Sequence, residues 1–336
     1  MQAAVFVKEG RLELRGVPTP EIKRADQVLL EVEVASICGT DLRILEVPPG
    51  YPANKGVILG HEYVGRIIGL GKDVLGFEEG DRVVVDPNIT CGTCPYCKLG
   101  QPNMCFNMTT LGIFIDGGFA SHNVAPARTL HKVSPALPSE IAVFAEPLSC
   151  ILNGFSKLEV QPGESVVVLG AGPIGLCLLQ LFRASGAGRI IVSEIFPPRR
   201  KMAVESGATR VLDPREEDIV HVVLEETGLG ADIVVDAVGS LIREALASAR
   251  RGGRVLLFGQ NTKARTEIAQ NEITRNELTI IGSFIARFTF PGAINILESG
   301  ILNVERLITH RFPLERISEG LEVMRKGEAT KVIIKP

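Results

Sequence analysis

The sequence predicts an α/β chain with a doubly wound parallel sheet in its middle and a strand-rich, barrel-like region ahead of it. Three observations carry that prediction. Between residues 165 and 284, short apolar runs alternate with helix-length stretches, the pattern of strands joined by crossover helices. One of those runs, Ser165–Leu169, passes directly into Gly170-Ala-Gly172-Pro-Ile-Gly175 and then into a helix-like segment, 176–184. Residues 1 to about 145 carry strand-and-turn character instead, punctuated by Pro48-Pro49-Gly50 and Gly117-Gly118. At 336 residues the chain is long enough for two domains of ordinary size.

Composition narrows the function. Hydrophobic residues make up 45% and charged residues 22%, enough for packed cores and too little polarity for a disordered chain. The formal net charge is −3, so no broad basic field attracts nucleic acid or an anionic membrane. Trp is absent and aromatics reach only 5%, which argues against a base-stacking platform. The first residues include Lys8 and Glu9 and show no signal-peptide core. The longest uncharged apolar run, 166–179, is shorter than the roughly 20 residues of a membrane span and contains three Gly and a Pro. A soluble, cytoplasmic protein is expected.

Seven Cys, an odd number, argue against a fully paired disulfide framework. Four of them crowd together: Cys91, Cys94 and Cys97, each separated by two residues, then Cys105 after seven more. Thiolates at that spacing turn back on one ion, and zinc takes four sulfurs tetrahedrally at about 2.3 Å. Gly92, Pro95, Gly100 and Pro102 predict a lobe of turns rather than helix or strand. Four Cys also hold iron–sulfur clusters, and spacing alone does not separate the two. Four thiolates leave no open coordination position, so such an ion holds a loop and does no chemistry.

A second constellation mixes ligand types. Cys38-Gly39-Thr40-Asp41 follows the strand-like run 28–34, and Gly60-His61-Glu62 lies twenty-odd residues later. A thiolate, an imidazole and a carboxylate make a zinc site with room for water or substrate. Open sites of that kind polarise oxygen and lower the pKa of a bound hydroxyl. The stretch continues through Gly65, Gly71 and Val74 to Gly80-Asp81-Arg82-Val83. With these motifs in this order, the sequence resembles the zinc-containing medium-chain dehydrogenase/reductase family over essentially the whole chain. That family includes alcohol, sorbitol and threonine dehydrogenases.

The resemblance implies a GroES-like catalytic domain, residues 1–146 and 287–336, with two zinc ions per chain. A Rossmann nucleotide-binding domain, residues 147–286, would be inserted between its parts. Cys38, His61 and Glu62 match the family's catalytic-zinc positions. Glu146, in Glu146-Pro147-Leu148-Ser149, matches the carboxylate that polyol-type members place at the metal, directly or through water. Cys91, Cys94, Cys97 and Cys105 match the structural-zinc lobe. Asp41 would orient the His61 ring, and Thr40 would relay the substrate proton. One position departs: many members carry a His five residues after the catalytic Cys, where this chain has Arg43. A guanidinium stays protonated at working pH. The relay would then pass from Thr40 to cofactor ribose or water, or through Glu146, leaving Arg43 to contact phosphate or an anionic substrate.

The Gly-rich loop has a strand before it, a helix after it and Glu194 about 20 residues on, the context that gives such a loop meaning. Gly170 permits a tight turn, Gly172 lets the backbone approach a pyrophosphate, and Gly175 lets helix and strand pack closely. Pro173 and Ile174 complete the cofactor-binding loop, and the helix start beyond it offers N–H groups to the phosphates. Glu194 would bind the adenosine ribose diol and repel a 2′-phosphate, which favours NAD over NADP. By resemblance, Arg199 stacks near the adenosine, and Val238, Phe258, Gly259, Ser283, Phe284 and Ile285 line the nicotinamide end. Further strands are predicted at Arg210–Leu212, 232–236, 254–258 and 278–284, with helices at 216–226 and 241–249, then a helical tail and a last strand, Lys331–Lys335.

The implied reaction is reversible hydride transfer between a secondary alcohol (a polyol, sugar alcohol or sugar acid) and NAD. L-Threonine or 2,3-butanediol is the alternative substrate. An NAD-binding redox sensor that has lost its chemistry is the alternative of another class. A homodimer or homotetramer is expected, because family members pair sheet edges at the strand predicted for 278–284. No nucleic acid or membrane partner is expected.

Overall fold

Val28, Leu30, Val32 and Val34 of Gln27–Ser36 all point inward, so this strand has one buried face and becomes the centre of a sheet. The computed structural model describes residues 1–336. In it, Gln27–Ser36 pairs antiparallel with Glu62–Leu70, His122–Pro126 and the C-terminal strand Lys331–Lys335. The seven-stranded sheet is completed by Arg82–Val85, Leu130–Lys132 and Ile308–Pro313. Its core gathers residues from both ends of the chain, from Ala3 and Phe6 to Val332 and Ile334. This unit comprises Met1–Ser149, Ala286–Gly300 and Val304–Pro336.

The second unit, Cys150–Ile285 with Ile301–Asn303, is built on a six-stranded, all-parallel sheet. Across that sheet the strands run Arg210–Leu212, Arg189–Ser193, Ser165–Leu169, Ala231–Asp236, Ala249–Leu257 and Thr279–Gly282. In chain order this is 3-2-1-4-5-6, and the order reverses beside Ser165–Leu169. Ligands bind at such a reversal, outside the carboxyl ends of the strands, which is where Gly170 begins.

Boundaries shift where local chemistry intervenes. The last strand of this sheet stops at Gly282 rather than 284, because Ile285 turns to φ 40°. The helix predicted from 216 starts at Ile219, where Asp218 caps the N–H groups of Val220 and His221, and ends at Gly228 in a left-handed turn. The four-Cys lobe is not turns alone: Pro95 opens the short helix Pro95–Lys98, with Cys94 as its cap. No helix is long and apolar enough to cross a membrane.

Candidate active site

Strand pairing assembles the first cluster. Ser36 lies opposite Glu62, and Ile333 of the C-terminal strand lies opposite Ser36. Lys331, 269 residues from Glu62, thereby donates its Nζ to Glu62 Oε2, which also accepts from Ser36 Oγ. Lys331 and Glu62 are each 1% exposed. Lys331 Nζ also sits 5.3 Å from the Phe144 ring centroid. Burial works against both charges, but Lys331 holds the Glu62 carboxyl below its ordinary range and Glu62 holds the ammonium above its own. Neither Ser36 nor Lys331 had been singled out by sequence.

Cys38 lies two residues beyond the strand Gln27–Ser36 and caps the short helix Gly39–Ile44, which carries Thr40, Asp41 and Arg43. Thr40 and Arg43 are half-buried. The Cys38 N–H donates to Asp41 Oδ2 at 2.8 Å, fixing that carboxylate from within the helix. Asp41 Oδ1 faces His61 Nδ1 at 3.6 Å, too far for a hydrogen bond, and these two buried atoms have no hydrogen-bond partner. The ligand atoms of Cys38, His61 and Glu62 lie within 4.8 Å of one another. Burial disfavours a charged imidazole, yet Cys38 and Asp41 outweigh it and push His61 well above its ordinary value. Glu146, on the first turn of Ala145–Phe155, does not join that 4.8 Å group. It is buried, and is pushed up to about 7 by that burial, with Glu62 adding to the rise against the pull of His61. Buried carboxylates, a thiol and an imidazole gathered with only one ammonium call for more positive charge. A divalent ion supplies it, and the donor set suits zinc.

The other four predicted ligands also meet. Cys91, Cys94, Cys97 and Cys105 bring their sulfurs within 4.8 Å of one another, and all are free thiols. The Cys94 N–H points at Cys91 Sγ and the Cys91 N–H at Cys105 Sγ, both at 3.3 Å. Such donors favour thiolate: N–H groups of Thr93 and Cys94 bring Cys91 down to about 5. Burial and the neighbouring sulfurs push Cys97 up to about 12, a mutual repulsion that a bound cation relieves.

In the second unit the glycines separate by cause. Gly170 has φ 97°, and a Cβ there would meet Val238 Cγ2 at 2.7 Å. A Cβ on Gly175 would lie 1.9 Å from Gly170 O, so any side chain prises the helix from the turn. A Cβ on Gly172 would meet nothing within 4 Å. Nothing in the protein demands glycine there, and the open space suits the approach of a diphosphate. Pro173 and Ile174 form the first turn of the helix Pro173–Ala184. Glu194, 6% exposed, accepts from Ala171 N–H at 2.7 Å and Phe196 N–H at 2.9 Å, tying its strand end to the turn. The Arg199 guanidinium lies 5.0 Å from the Phe196 ring centroid. Arg200 and Arg215 both bind Asp213, at 2.8 and 2.5 Å, and hold it well below the usual carboxylate range.

Asp236 organises the next loops. Its Oδ1 accepts from Val238 and Gly239 N–H at 2.9 and 2.7 Å, and its backbone carbonyl accepts from Phe258 and Gly259 N–H. Val238, Phe258 and Gly259 therefore all bond one buried aspartate, Val238 through its carboxylate and the other two through its backbone carbonyl. Ser283 N–H joins them through Leu257 O at 3.2 Å, with Phe284 next in chain. An acid closing an apolar strand, followed within three residues by Gly, was the available signal for Asp236.

A metal-ligand set open to further ligands and a phosphate turn on a parallel sheet place the chain among metal-assisted, nucleotide-dependent oxidoreductases. Known proteins refine this class. A family model for the alcohol dehydrogenase GroES-like domain matches residues 24–135, and one for zinc-binding dehydrogenase matches residues 173–299. Sorbitol dehydrogenase of Bacillus subtilis strain 168 is 33% identical over 344 residues, covering 100% of this chain and 97% of the relative. An L-threonine 3-dehydrogenase of Caldanaerobacter subterraneus subsp. tengcongensis is 34% identical, with 93% and 92% covered. Among solved structures, a zinc-binding dehydrogenase from Sinorhizobium meliloti 1021 bound to NADP matches with TM-score 0.94 at 32% identity, covering 100% of this chain and 99% of that one. The chain belongs to the zinc-containing medium-chain dehydrogenase family.

Proposed function

We propose that the chain oxidises a secondary alcohol of the polyol, sugar-alcohol or sugar-acid class reversibly with NAD. The observation that carries this reading is the convergence of Cys38, His61 and Glu62 donor atoms within 4.8 Å, with the buried carboxylate of Glu146 sensing the same charges. An extra carboxylate beside the metal ligands suits a substrate rich in hydroxyls. Cys38 and His61, with Glu62 and Glu146 as carboxylates, would hold a catalytic zinc; the four-Cys lobe would hold a second, structural one. Held there, zinc would supply Lewis acidity toward the substrate hydroxyl, and a bound nicotinamide would supply the hydride acceptor. Thr40 would take the substrate hydroxyl proton while passing its own to cofactor ribose, to water or to Glu146. Asp41 faces His61 Nδ1, which leaves Nε2 to serve as the ligand atom. A guanidinium is a poor proton acceptor, which leaves Arg43 to attract phosphate or an acidic substrate.

A panel of polyols, sugar acids, L-threonine and 2,3-butanediol, each with NAD and with NADP, tests this. Polyols or sugar acids reducing NAD support it. Threonine alone reducing NAD moves the chain to the threonine dehydrogenases, and no turnover with any of them leaves a redox sensor.

NAD is the preferred dinucleotide because a 2′-phosphate would meet the Glu194 carboxylate, while Arg200 and Arg215 are drawn towards Asp213. Like charges brought together cost several kcal/mol, so kcat/KM should favour NAD by at least about tenfold. Glu194→Ser should narrow that ratio mainly by admitting NADP. A ratio unmoved by the substitution would remove Glu194 from the specificity argument. Thr279–Gly282 is an edge strand of its sheet, and its outer edge is offered as the pairing surface of a homodimer or homotetramer working in the cytoplasm.

A further inference from the structure

The segment that follows Thr279–Gly282 is both strained and clamped. Ile285 has φ 40°, a left-handed backbone that a β-branched side chain rarely adopts. Asn153, on Ala145–Phe155 and 3% exposed, directs its Nδ2 to two consecutive carbonyls, Phe284 O at 3.1 Å and Ile285 O at 2.7 Å. A carboxamide nitrogen with two protons suits this task, since a hydroxyl has only one and a carboxylate none. The neighbouring Gly154 allows the approach. A Cβ there would come within 3.1 Å of Ser283 Oγ and 3.2 Å of Phe258 Cδ2. The helix is thus pressed against the two loops read as the nicotinamide end, with Asn153 as the polar fastening.

We infer that Asn153 is a positioning residue for the nicotinamide half of the cofactor. By holding Ile285 in the left-handed region, it sets the directions of the peptide groups of Ser283, Phe284 and Ile285. Without the clamp, Ile285 relaxes towards negative φ and the peptides on either side rotate with it. The AMP half, held by the Gly170–Gly175 turn and Glu194, does not depend on Asn153. The inference rests on the reading of Ser283, Phe284 and Ile285 as nicotinamide-lining.

The test compares NADH and ADP-ribose binding by calorimetry in the parent, Asn153→Ala, and the double variant Asn153→Ala/Ile285→Gly. Two neutral hydrogen bonds are lost, so Asn153→Ala should weaken NADH about tenfold and leave ADP-ribose within about twofold. Retained ADP-ribose binding also certifies that the unit is folded. Ile285→Gly should restore most of the NADH affinity, because glycine holds a positive φ without strain. Unchanged NADH affinity, an equal loss on both ligands, or a double variant as weak as the single one overturns the inference. A parent that binds neither ligand overturns the nucleotide reading instead, so the two failures are distinct.

Discussion

Replacing Cys38 by alanine is expected to lower kcat/KM by at least about 10³-fold, since a Lewis-acid metal contributes several kcal/mol and each 1.36 kcal/mol is tenfold. The same variant should fall from two zinc ions per chain to one. The fold should survive. Cys38 is a half-buried cap: the bond from its backbone N–H to Asp41 Oδ2 is kept, and losing its sulfur from the capping box costs about 1 kcal/mol. Cys91→Ala should do the reverse: its sulfur collects donors from Thr93, Cys94 and Cys105 within the lobe, and losing it should release the lobe's ion and lower thermal stability before it touches chemistry. Metal analysis, steady-state kinetics and melting on the same three proteins separate the two ions. A Cys38→Ala protein with parental turnover would end the catalytic-zinc assignment. A parent holding a single ion, kept by Cys38→Ala, would point to a degenerate catalytic site.

What could be read in advance follows from how local each signal is. The four Cys between 91 and 105 and the glycines of 170–175 carry their signal in short spacing, because an ion or a phosphate would be grasped there by one stretch of chain. Cys38 and His61 are separated by a short helix, Gly39–Ile44, and a loop, and a resemblance of motif order was needed to join them. Ser36, Lys331 and Asn153 had no such signal. Ser36 and Asn153 are single polar residues among apolar ones and Lys331 merely opens a strand, yet each finds its partner through pairing or packing over 26, about 130 and 269 residues respectively. Neither hydrophobic period nor turn composition encodes a contact of that range. Strand ends failed for a related reason: the halt at Gly282 depends on the left-handed Ile285, and Ile is not a residue that announces such a turn.

Lys331→Met is expected to destabilise the unit that contains Glu62 by about 3–5 kcal/mol, the usual cost of removing one member of a buried ion pair. Methionine fills a similar volume, so the loss is electrostatic rather than a cavity. Glu62 would keep Ser36 as a donor, but one hydroxyl does not offset a carboxylate taken out of water. A bound divalent ion would mask part of this, so urea titrations belong on both metal-loaded and chelator-treated protein, with the larger loss in the latter. Adding Glu62→Gln removes the stranded charge while its amide oxygen still accepts from Ser36, and should recover most of the lost stability. The double-mutant cycle then gives a coupling energy well beyond what independent sites allow. If Lys331→Met stays within about 1 kcal/mol of the parent, the pair is not what holds the C-terminal strand beside Gln27–Ser36. If the predicted loss is found, the last strand of the chain can dock only with its lysine matched to Glu62, which makes completion of the first sheet and assembly of the metal-ligand cluster one event.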